Sequence, residues 1–312
     1  KKSLPQTVIK LTGEIYQKGE MEKNSPQMLK AYMWRMKYRD MLTPDSLYTG
    51  LQELKQWAKQ ADKPMDRAIL HSLIAGMYAD YAANNQWQLR QRTEIAGEAP
   101  SADMREWTAN MFVEKVRTNV KEAMADSVLL LNTSSRTYIP FVELGETSEY
   151  YHHDMYHLLA SRSIEALQRI QGLDRTTPIE AYSEETSSEK ESLVKQDIER
   201  IYDQMLTSYK AKGDKEGCLL TSLNYLNWKH GTSKSFREPF RVKKGGTYMT
   251  FDPYETGLDA LKTEYKSLDL CAEVYLAQAN NAIGKEQETV ALQLCDEAIR
   301  LYPGYRRINA LK

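Results

Sequence analysis

The chain has 312 residues, of which 41% are hydrophobic and 27% charged, and its formal net charge is −1. These values are typical of a globular protein and exclude an intrinsically disordered chain. A balanced charge offers no basic field to nucleic acid or to an anionic membrane, and no apolar run approaches the roughly 20 residues that span a bilayer. We therefore expect no nucleic-acid partner and no transmembrane segment, and the 15 glycines and 10 prolines favour helices over turn-rich β-structure.

Helical periodicity dominates the first ninety residues. Apolar side chains recur at helical spacing in four segments, which short breaks separate at Asn24-Ser25-Pro26, Thr43-Pro44-Asp45 and Asp62-Lys63-Pro64. Ser25 is the expected N-cap of the second helix, and the fourth helix is expected from about Met65 to Trp87. Short connections make neighbouring helices antiparallel. The region is therefore predicted to form two helical hairpins, the unit of an α-solenoid.

The middle of the chain predicts a loop at 91–104 and a helix from about Arg105 to Leu131. An irregular stretch with a short extended piece at 138–142 follows, and then a helix over roughly 150–171. A polar stretch rich in serine and glutamate predicts a linker. We expect an N-terminal helical-hairpin lobe at 1–172, a polar linker at 173–192 and a C-terminal helical lobe at 193–312.

The second lobe is predicted to be helical, except for a basic loop at 232–252 that is able to hold a small hairpin. Its end has the spacing of a tetratricopeptide repeat: positions 4, 8, 11, 20, 24, 27 and 32 of 34 are Tyr275, Ala279, Ala282, Ala291, Cys295, Ala298 and Pro303. We expect Ala279 and Ala298 to face each other across a close helix contact. The predicted fold class is all-α, with antiparallel helical hairpins in a tetratricopeptide-like α-solenoid and little or no strand.

Histidines are concentrated at His152, His153 and His157. His153 and His157 are four residues apart, a helical spacing that is able to hold zinc, but no glutamate follows His153 as it does in the H-E-x-x-H motif. The chain contains no P-loop, dinucleotide-binding glycine motif or nucleophile elbow. We expect exposed histidines at a polar helix start, and no catalytic, metal-binding or cofactor-binding residues. A metal-dependent hydrolase built on this cluster is the enzymatic alternative.

Three motifs occur in order along the chain: Asn84-Asn85-Gln86-Trp87 followed by Arg92-Thr93, Asp103-Met104-Arg105-Glu106-Trp107, and Tyr156-His157-Leu158-Leu159-Ala160-Ser161-Arg162. With the opening hairpin and the final repeat, they resemble the N-terminal helical region of large bacterial α-2-macroglobulin-family proteins of the Bacteroidetes type. The family pattern has an acidic residue after the tyrosine, where this chain has His157. The resemblance implies a periplasmic or outer-membrane-associated module that precedes β-sandwich domains, in a class that traps proteases or shields against them.

The motif residues are predicted to have structural roles. Trp87 and Trp107 flank the loop at 91–104 and are expected to pin it by burying their rings. Arg92 and Asp103 are expected to close the same loop with a charge-assisted hydrogen bond. A charge at Arg162, on the expected apolar face of its helix, requires a partner. The full set of structural motif residues is Asn85, Trp87, Arg92, Thr93, Asp103, Trp107, Tyr156 and Arg162.

The predicted function is a non-catalytic helical scaffold or interaction module at the N-terminus of a large α-2-macroglobulin-like envelope protein. Its expected partners are the following β-sandwich domains of the same polypeptide, with another envelope protein as a further candidate. The alternative is a free-standing tetratricopeptide-type adaptor that binds a peptide or protein. The chain starts Lys1-Lys2-Ser3 without an initiator methionine, so we expect a processed or trimmed segment of a longer protein.

Overall fold

The computed structural model describes residues 3–43, 46–92, 101, 103–174, 192–244 and 247–312. The protein is all-α, and strand within these ranges is limited to one two-stranded sheet, which confirms the predicted fold class. The solenoid arrangement stays a prediction. The chain divides into two compact units, residues 1–201 (unit 1) and residues 202–312 (unit 2). Most of the expected linker, residues 175–191, lies outside the described residues.

Unit 1 contains helices of very different length. Three of its connections contain a turn of 3₁₀ helix, at Met104–Glu106, Ser135–Tyr138 and Gln171–Leu173. The α-helices are α1 (Ser3–Met21), α2 (Ser25–Leu42), α3 (Ser46–Gln60), α4 (Pro64–Asn84), α5 (Gln86–Gln91), α6 (Ala109–Ala123), α7 (Ser127–Asn132) and α8 (Met155–Ile170). Helix α9 (Leu193–Lys212) runs across the boundary between the units. None of the described helices is long and apolar enough to cross a membrane.

The start of α2 differs from the prediction by one residue. Asn24 is the N-cap, because its side-chain oxygen accepts a hydrogen bond from the backbone N–H of Gln27 at 3.2 Å. Ser25 is the first helical residue, and its hydroxyl donates instead to the carboxylate of Asp66 at 2.6 Å. Pro26 lies in the first turn, where the N–H that proline lacks has no helical partner to lose.

Helix α4 is the centre of unit 1 and packs against α3, α6 and α8. A helix that is apolar on most of its surface is buried among other elements, and the buried side chains of α4 include Ile69, Leu70, Ile74 and Tyr78. The predicted helix to Trp87 ends at Asn84. Asn85 ends it, because its side-chain amide donates to the carbonyl of Tyr81 at 2.8 Å and the chain then restarts as α5.

The helix predicted from Arg105 to Leu131 is also two helices, α6 and α7. Asp126 restarts the chain as the N-cap of α7, where its carboxylate accepts from the N–H of Leu129 at 3.0 Å. The extended piece expected at 138–142 is not a strand, since this stretch ends a 3₁₀ helix and continues as a turn. Short polar side chains that bond the local backbone interrupt a helical pattern in this way.

Unit 2 combines helices with a β-hairpin. The strands are antiparallel, and their register runs from Phe240 opposite Phe251 to Lys244 opposite Thr247, so the hairpin lies within the predicted basic loop. After the second half of α9, the elements are α10 (Lys215–Thr232), α11 (Lys234–Arg237), β1 (Phe240–Lys244), β2 (Thr247–Phe251), α12 (Pro253–Glu264), α13 (Ala272–Gly284) and α14 (Glu288–Leu301).

The α13–α14 hairpin closes over small side chains. Ala279, Ala282 and Ala291 form one buried cluster, against which Leu294 and Cys295 pack. Ala298, predicted to face Ala279, is fully buried but lies outside this cluster. Residues at similar distances from the turn face each other in an antiparallel pair, and Ala298 lies about five residues further from the turn than Ala279.

Candidate functional site

Trp107 attaches the described end of the 91–104 loop to the core. Its ring is 6% exposed and packs against the rings of Tyr78 and Phe112, with centroid distances of 5.5 and 5.3 Å. The indole N–H donates to the carbonyl of Ser101 at 2.7 Å. Trp107 therefore combines a buried aromatic surface with a satisfied polar tip, which joins the loop to α4 and α6.

The prediction that Trp87 pins the same loop is wrong, because its ring is 73% exposed. Leu89 is the buried residue of the short helix α5, and Trp87, two residues earlier, lies about 200° around the same helix and therefore on its other side. Thr93, the neighbouring motif residue, lies outside the described residues.

Arg92 and Asp103 do not form the predicted ion pair. The guanidinium of Arg92 donates to the carbonyl of Trp107 at 2.8 Å. Asp103 caps the 3₁₀ helix at Met104–Glu106 and pairs with Arg105, whose hydrogen bonds lower the pKa of its carboxyl group. The loop is thus closed by the hydrogen bond from Arg92 to the backbone of Trp107, whereas the carboxylate of Asp103 is paired with Arg105.

The histidine cluster is divided between two environments at the start of α8. His153 is exposed and precedes the helix, whereas His157 is fully buried. The carboxylate of Asp154, the N-cap of α8, lies 2.8 Å from His157 Nδ1. The expectation of exposed histidines is therefore wrong for His157. Tyr156 is also buried and meets the His157 ring edge-on at 5.3 Å. The described residues include no group of three or more histidine, cysteine, aspartate or glutamate side chains that could hold a metal ion.

His152 and Ser161 form a pair that sequence reasoning missed. His152 Nε2 lies 2.6 Å from the Ser161 hydroxyl, a geometry that a base and a nucleophile also adopt. However, burial, aided by His157, lowers the pKa of His152 to about 3, far from the near-neutral value of an effective general base. The backbone of His152 has φ 59°, and its carbonyl accepts from Ser135 Oγ at 2.7 Å. The pair therefore fits a role in joining the preceding segment to α8.

A second buried network centres on Asp66, which sequence reasoning also missed. Its two carboxylate oxygens accept from the hydroxyls of Ser25 at 2.6 Å and Tyr138 at 2.7 Å. Lys63 Nζ in turn donates to Ser25 Oγ at 3.0 Å. The network joins α2, α4 and the 3₁₀ helix at Ser135–Tyr138. Burial and the Asp66 carboxylate both raise the pKa of Tyr138.

Contrary to the prediction, Arg162 does not lie on the apolar face of α8. Its side chain is exposed and pairs with the equally exposed Glu165 at 2.7 Å. It lies on the border of an apolar cavity of about 420 Å³, which Trp34, Phe141 and Leu159 also line. The partner expected for Arg162 is therefore present, but the charge is solvated and its pairing adds little stability.

Unit 1 has a groove of about 720 Å³ between α3, α4 and α6. We name it the lysine groove, because it combines three lysines with an aromatic floor. Its defining residues are Lys55, Lys59, His71, Tyr78, Trp107 and Lys115. These residues come from parts of the chain that are up to 60 positions apart, so no local sequence pattern reveals the groove.

No protein-family model matches this chain, and neither the curated proteins nor the solved structures contain a match to it. The resemblance to α-2-macroglobulin-family proteins therefore rests on the sequence motifs. Two of their residues have well-defined structural roles, since Trp107 fastens a loop and Asn85 ends a helix.

Proposed function

We propose that this chain is a non-catalytic helical interaction module, the N-terminal part of a large α-2-macroglobulin-like envelope protein. The observation that carries the proposal is the apolar face of α14 in unit 2. Leu292, Leu301 and Val290 on this helix are 65%, 46% and 44% exposed. Val290 and Leu301 lie on one edge of the helix and Leu292 on the other, and exposed apolar surface on a folded protein marks places where other protein surfaces pack.

The apolar residues of α14 cover far more of its circumference than α13 buries. At about 100° per residue, they extend over an arc of about 200°, from Val290 through Ala291 and Ala298 to Leu292. Only Ala291 and Ala298, near the middle of this arc, are buried. Both edges therefore face outward, and a helix with such a pattern is suited to packing against a second element on each side of its hairpin.

The polar constellations of unit 1 support a non-catalytic role. Asp154 holds the start of α8, and Asp66 holds two hydroxyl groups. The His152–Ser161 pair has a base whose pKa is too low for proton abstraction near neutral pH. Placement in the periplasm or at the outer membrane follows from the sequence resemblance and belongs to the proposal.

Hydrogen exchange tests the proposal when the isolated chain is compared with the longer protein that the proposal requires. Amides of α14 should exchange more slowly in the longer protein, because a neighbouring domain covers the face. The double change Leu292→Ser and Leu301→Ser should destabilise the longer protein more than the isolated chain, whereas Gln293→Ser, on the exposed side of α14, should affect both equally. Equal exchange of α14 in both proteins would refute the covered-face argument.

A free-standing adaptor is the second candidate, and the lysine groove is the observation that favours it. A groove of this size matches the 300–1,000 Å³ typical of ligand sites and joins charged walls to an aromatic floor. For an adaptor, peptide binding in the groove should be retained by the isolated chain while α14 stays exposed in the complete protein. The same exchange experiment therefore separates the two candidates.

A further inference from the structure

We propose that the lysine groove binds an extended acidic peptide segment, with carboxylates on alternate residues and an apolar or aromatic side chain beside them. The ligand class follows from three features of the groove: its uncompensated charge, the spacing of its lysines and its aromatic floor. The inference goes beyond the leading proposal, because the groove belongs to unit 1 and the exposed apolar residues of α14 to unit 2, and it specifies the ligand class of the groove that favours the adaptor.

The charge of the groove is positive and unpaired. Lys55 and Lys59 come from α3, and Lys115 comes from α6. Within the described part of the chain, no carboxylate lies within ion-pair distance of these three amines, and Glu114 is the single acid on the lining. Burial and then the charges of Lys115 and Lys59 lower the pKa of Lys55. An anion bound between the two helices would relieve this repulsion.

The lysine spacing selects the form of the anion. Lys55 and Lys59 are four residues apart on α3, which places them about 6 Å apart along the helix axis. Alternate residues of an extended peptide are about 6.6 Å apart and point to the same side. Two carboxylates on alternate residues therefore match the two amines, whereas carboxylates on adjacent residues point to opposite sides. Charges spread over two helices also suit separate carboxylates better than one dense phosphate group.

The remaining lining suits the body of a peptide. The Asn119 amide nitrogen donates to the Lys115 carbonyl at 2.8 Å, so its oxygen accepts from His71 Nδ1, also at 2.8 Å. In the neutral tautomer with Nδ1 donating, His71 Nε2 is an acceptor, the group that a peptide N–H requires. Tyr78 and Trp107 form an apolar floor, against which an apolar or aromatic side chain of the same peptide would pack.

Fluorescence anisotropy with a labelled peptide Glu-Tyr-Glu-Leu-Glu tests the inference on the 312-residue chain. We expect saturable binding that weakens with added salt, because exposed charges are screened. The isomer Glu-Glu-Tyr-Leu-Glu has the same composition and charge but no two carboxylates on alternate residues, and it should bind roughly tenfold more weakly. Lys59→Gln and Lys115→Gln should each weaken binding of the alternating peptide by roughly 3–10-fold.

The matched control is Lys121→Gln, which removes an exposed charge from α6 outside the groove and should change the dissociation constant less than about twofold. Three results would overturn the inference: no saturable binding, equal binding of the two isomers, or equal losses in Lys121→Gln and Lys59→Gln. Displacement by inorganic tripolyphosphate as effective as displacement by unlabelled peptide would assign the groove to phosphates instead. Circular dichroism of each variant checks that the lysine changes leave the fold intact.

Discussion

Asp66 shows how strongly one residue can organise unit 1. It is 7% exposed and accepts hydrogen bonds from the hydroxyls of Ser25 and Tyr138, which come from segments 113 residues apart. An isolated buried carboxylate is unfavourable, but one that is fully hydrogen-bonded fixes the positions of its donors. In the sequence, Asp66 is only an acid in the first turn of a helix, so its role could not be predicted without knowing which segments surround it.

Replacing Asp66 with alanine should lower the free energy of unfolding by roughly 2–5 kcal/mol, because two buried hydroxyl donors lose their acceptor. Tyr138→Phe removes one of the two bonds and should cost roughly 1.5–3 kcal/mol. The control is Asp80→Ala in the same helix, since Asp80 forms an exposed pair with Arg169 and should cost less than about 1 kcal/mol. Urea denaturation measures all three. Equal losses at Asp66 and Asp80 would contradict the network.

His152 should make stability depend on pH. Its pKa is about 3 in the folded chain and about 6.5 in an unfolded one. Between these values the unfolded state binds the extra proton, so the free energy of unfolding falls as the pH drops from about 6.5 towards 3, by at most about 1.4 kcal/mol per pH unit. Above pH 6.5 His152 is neutral in both states, so it no longer makes the free energy of unfolding depend on pH.

The change His152→Asn should remove this pH dependence, and asparagine tolerates the positive φ of the position. Urea denaturation between about pH 7 and pH 4 should therefore show the wild-type and variant curves converging as the pH falls. The exposed neighbour serves as the control, since His153→Asn should run parallel to the wild type. Parallel curves for His152→Asn would show that the ring is not held neutral by burial.

At the scale of secondary-structure elements, the loop at 91–104 depends on one of its two flanking tryptophans. Trp107→Ala should cost about 3–5 kcal/mol, because it empties a buried site between Tyr78 and Phe112. Trp87→Ala should cost less than about 0.5 kcal/mol, since that ring is exposed. Thermal unfolding of the two variants provides the comparison. A loss below about 1 kcal/mol at Trp107 would show that the loop is held in another way.

The α13–α14 hairpin depends on small side chains at its closest contact. Ala291→Leu should overpack the cluster with Ala279 and Ala282 and cost about 1–3 kcal/mol. Gln293→Leu adds a similar side chain on the exposed side of the same helix and should change stability by less than about 0.5 kcal/mol. Denaturant unfolding measured for unit 2 checks both. An unchanged free energy of unfolding for Ala291→Leu would mean that the two helices can move apart without an energetic penalty.

Much of the helix content was predictable because apolar periodicity is a local property. The helices α4 and α8 lie within the segments predicted at about Met65–Trp87 and 150–171 apart from one residue at the start of α4, and the hairpin at Phe240–Phe251 falls within the predicted basic loop. The breaks at Asn85 and Asp126 were not predicted, because they depend on whether a short polar side chain bonds the backbone. The lysine groove was also not predictable, since its walls come from helices that are distant in sequence.

At the scale of the whole molecule, the tryptophans and cysteines are distributed unevenly between the two units and can serve as probes of each. Four of the five tryptophans, Trp34, Trp57, Trp87 and Trp107, lie in unit 1, and all three cysteines lie in unit 2. Cys218 and Cys271 are buried, and burial raises the pKa of both thiols. They should therefore react with thiol reagents only when unit 2 opens. Each unit can thus be followed by its own probe.

Each unit has its own buried core, so we predict that urea unfolds them with different denaturant slopes. The slope of the free energy of unfolding grows with the surface exposed. Unit 1, with 201 residues, should therefore have a slope roughly 1.8 times that of unit 2, with 111 residues. Tryptophan fluorescence of Trp228→Phe reports unit 1. Pulsed thiol labelling of Cys295→Ser, which removes the partly exposed cysteine, reports unit 2.

Helix α9 is the element on which this prediction depends. Val194 and Ile198 in its first half are buried and belong to unit 1, and Met205 and Tyr209 in its second half are buried and belong to unit 2. Separate transitions require α9 to fray at its middle when one unit unfolds, and the helical hydrogen bonds lost there are few compared with either core. If the two probes instead give the same midpoint and the same slope, α9 transmits unfolding from one unit to the other. The chain would then be one cooperative domain in spite of its two cores.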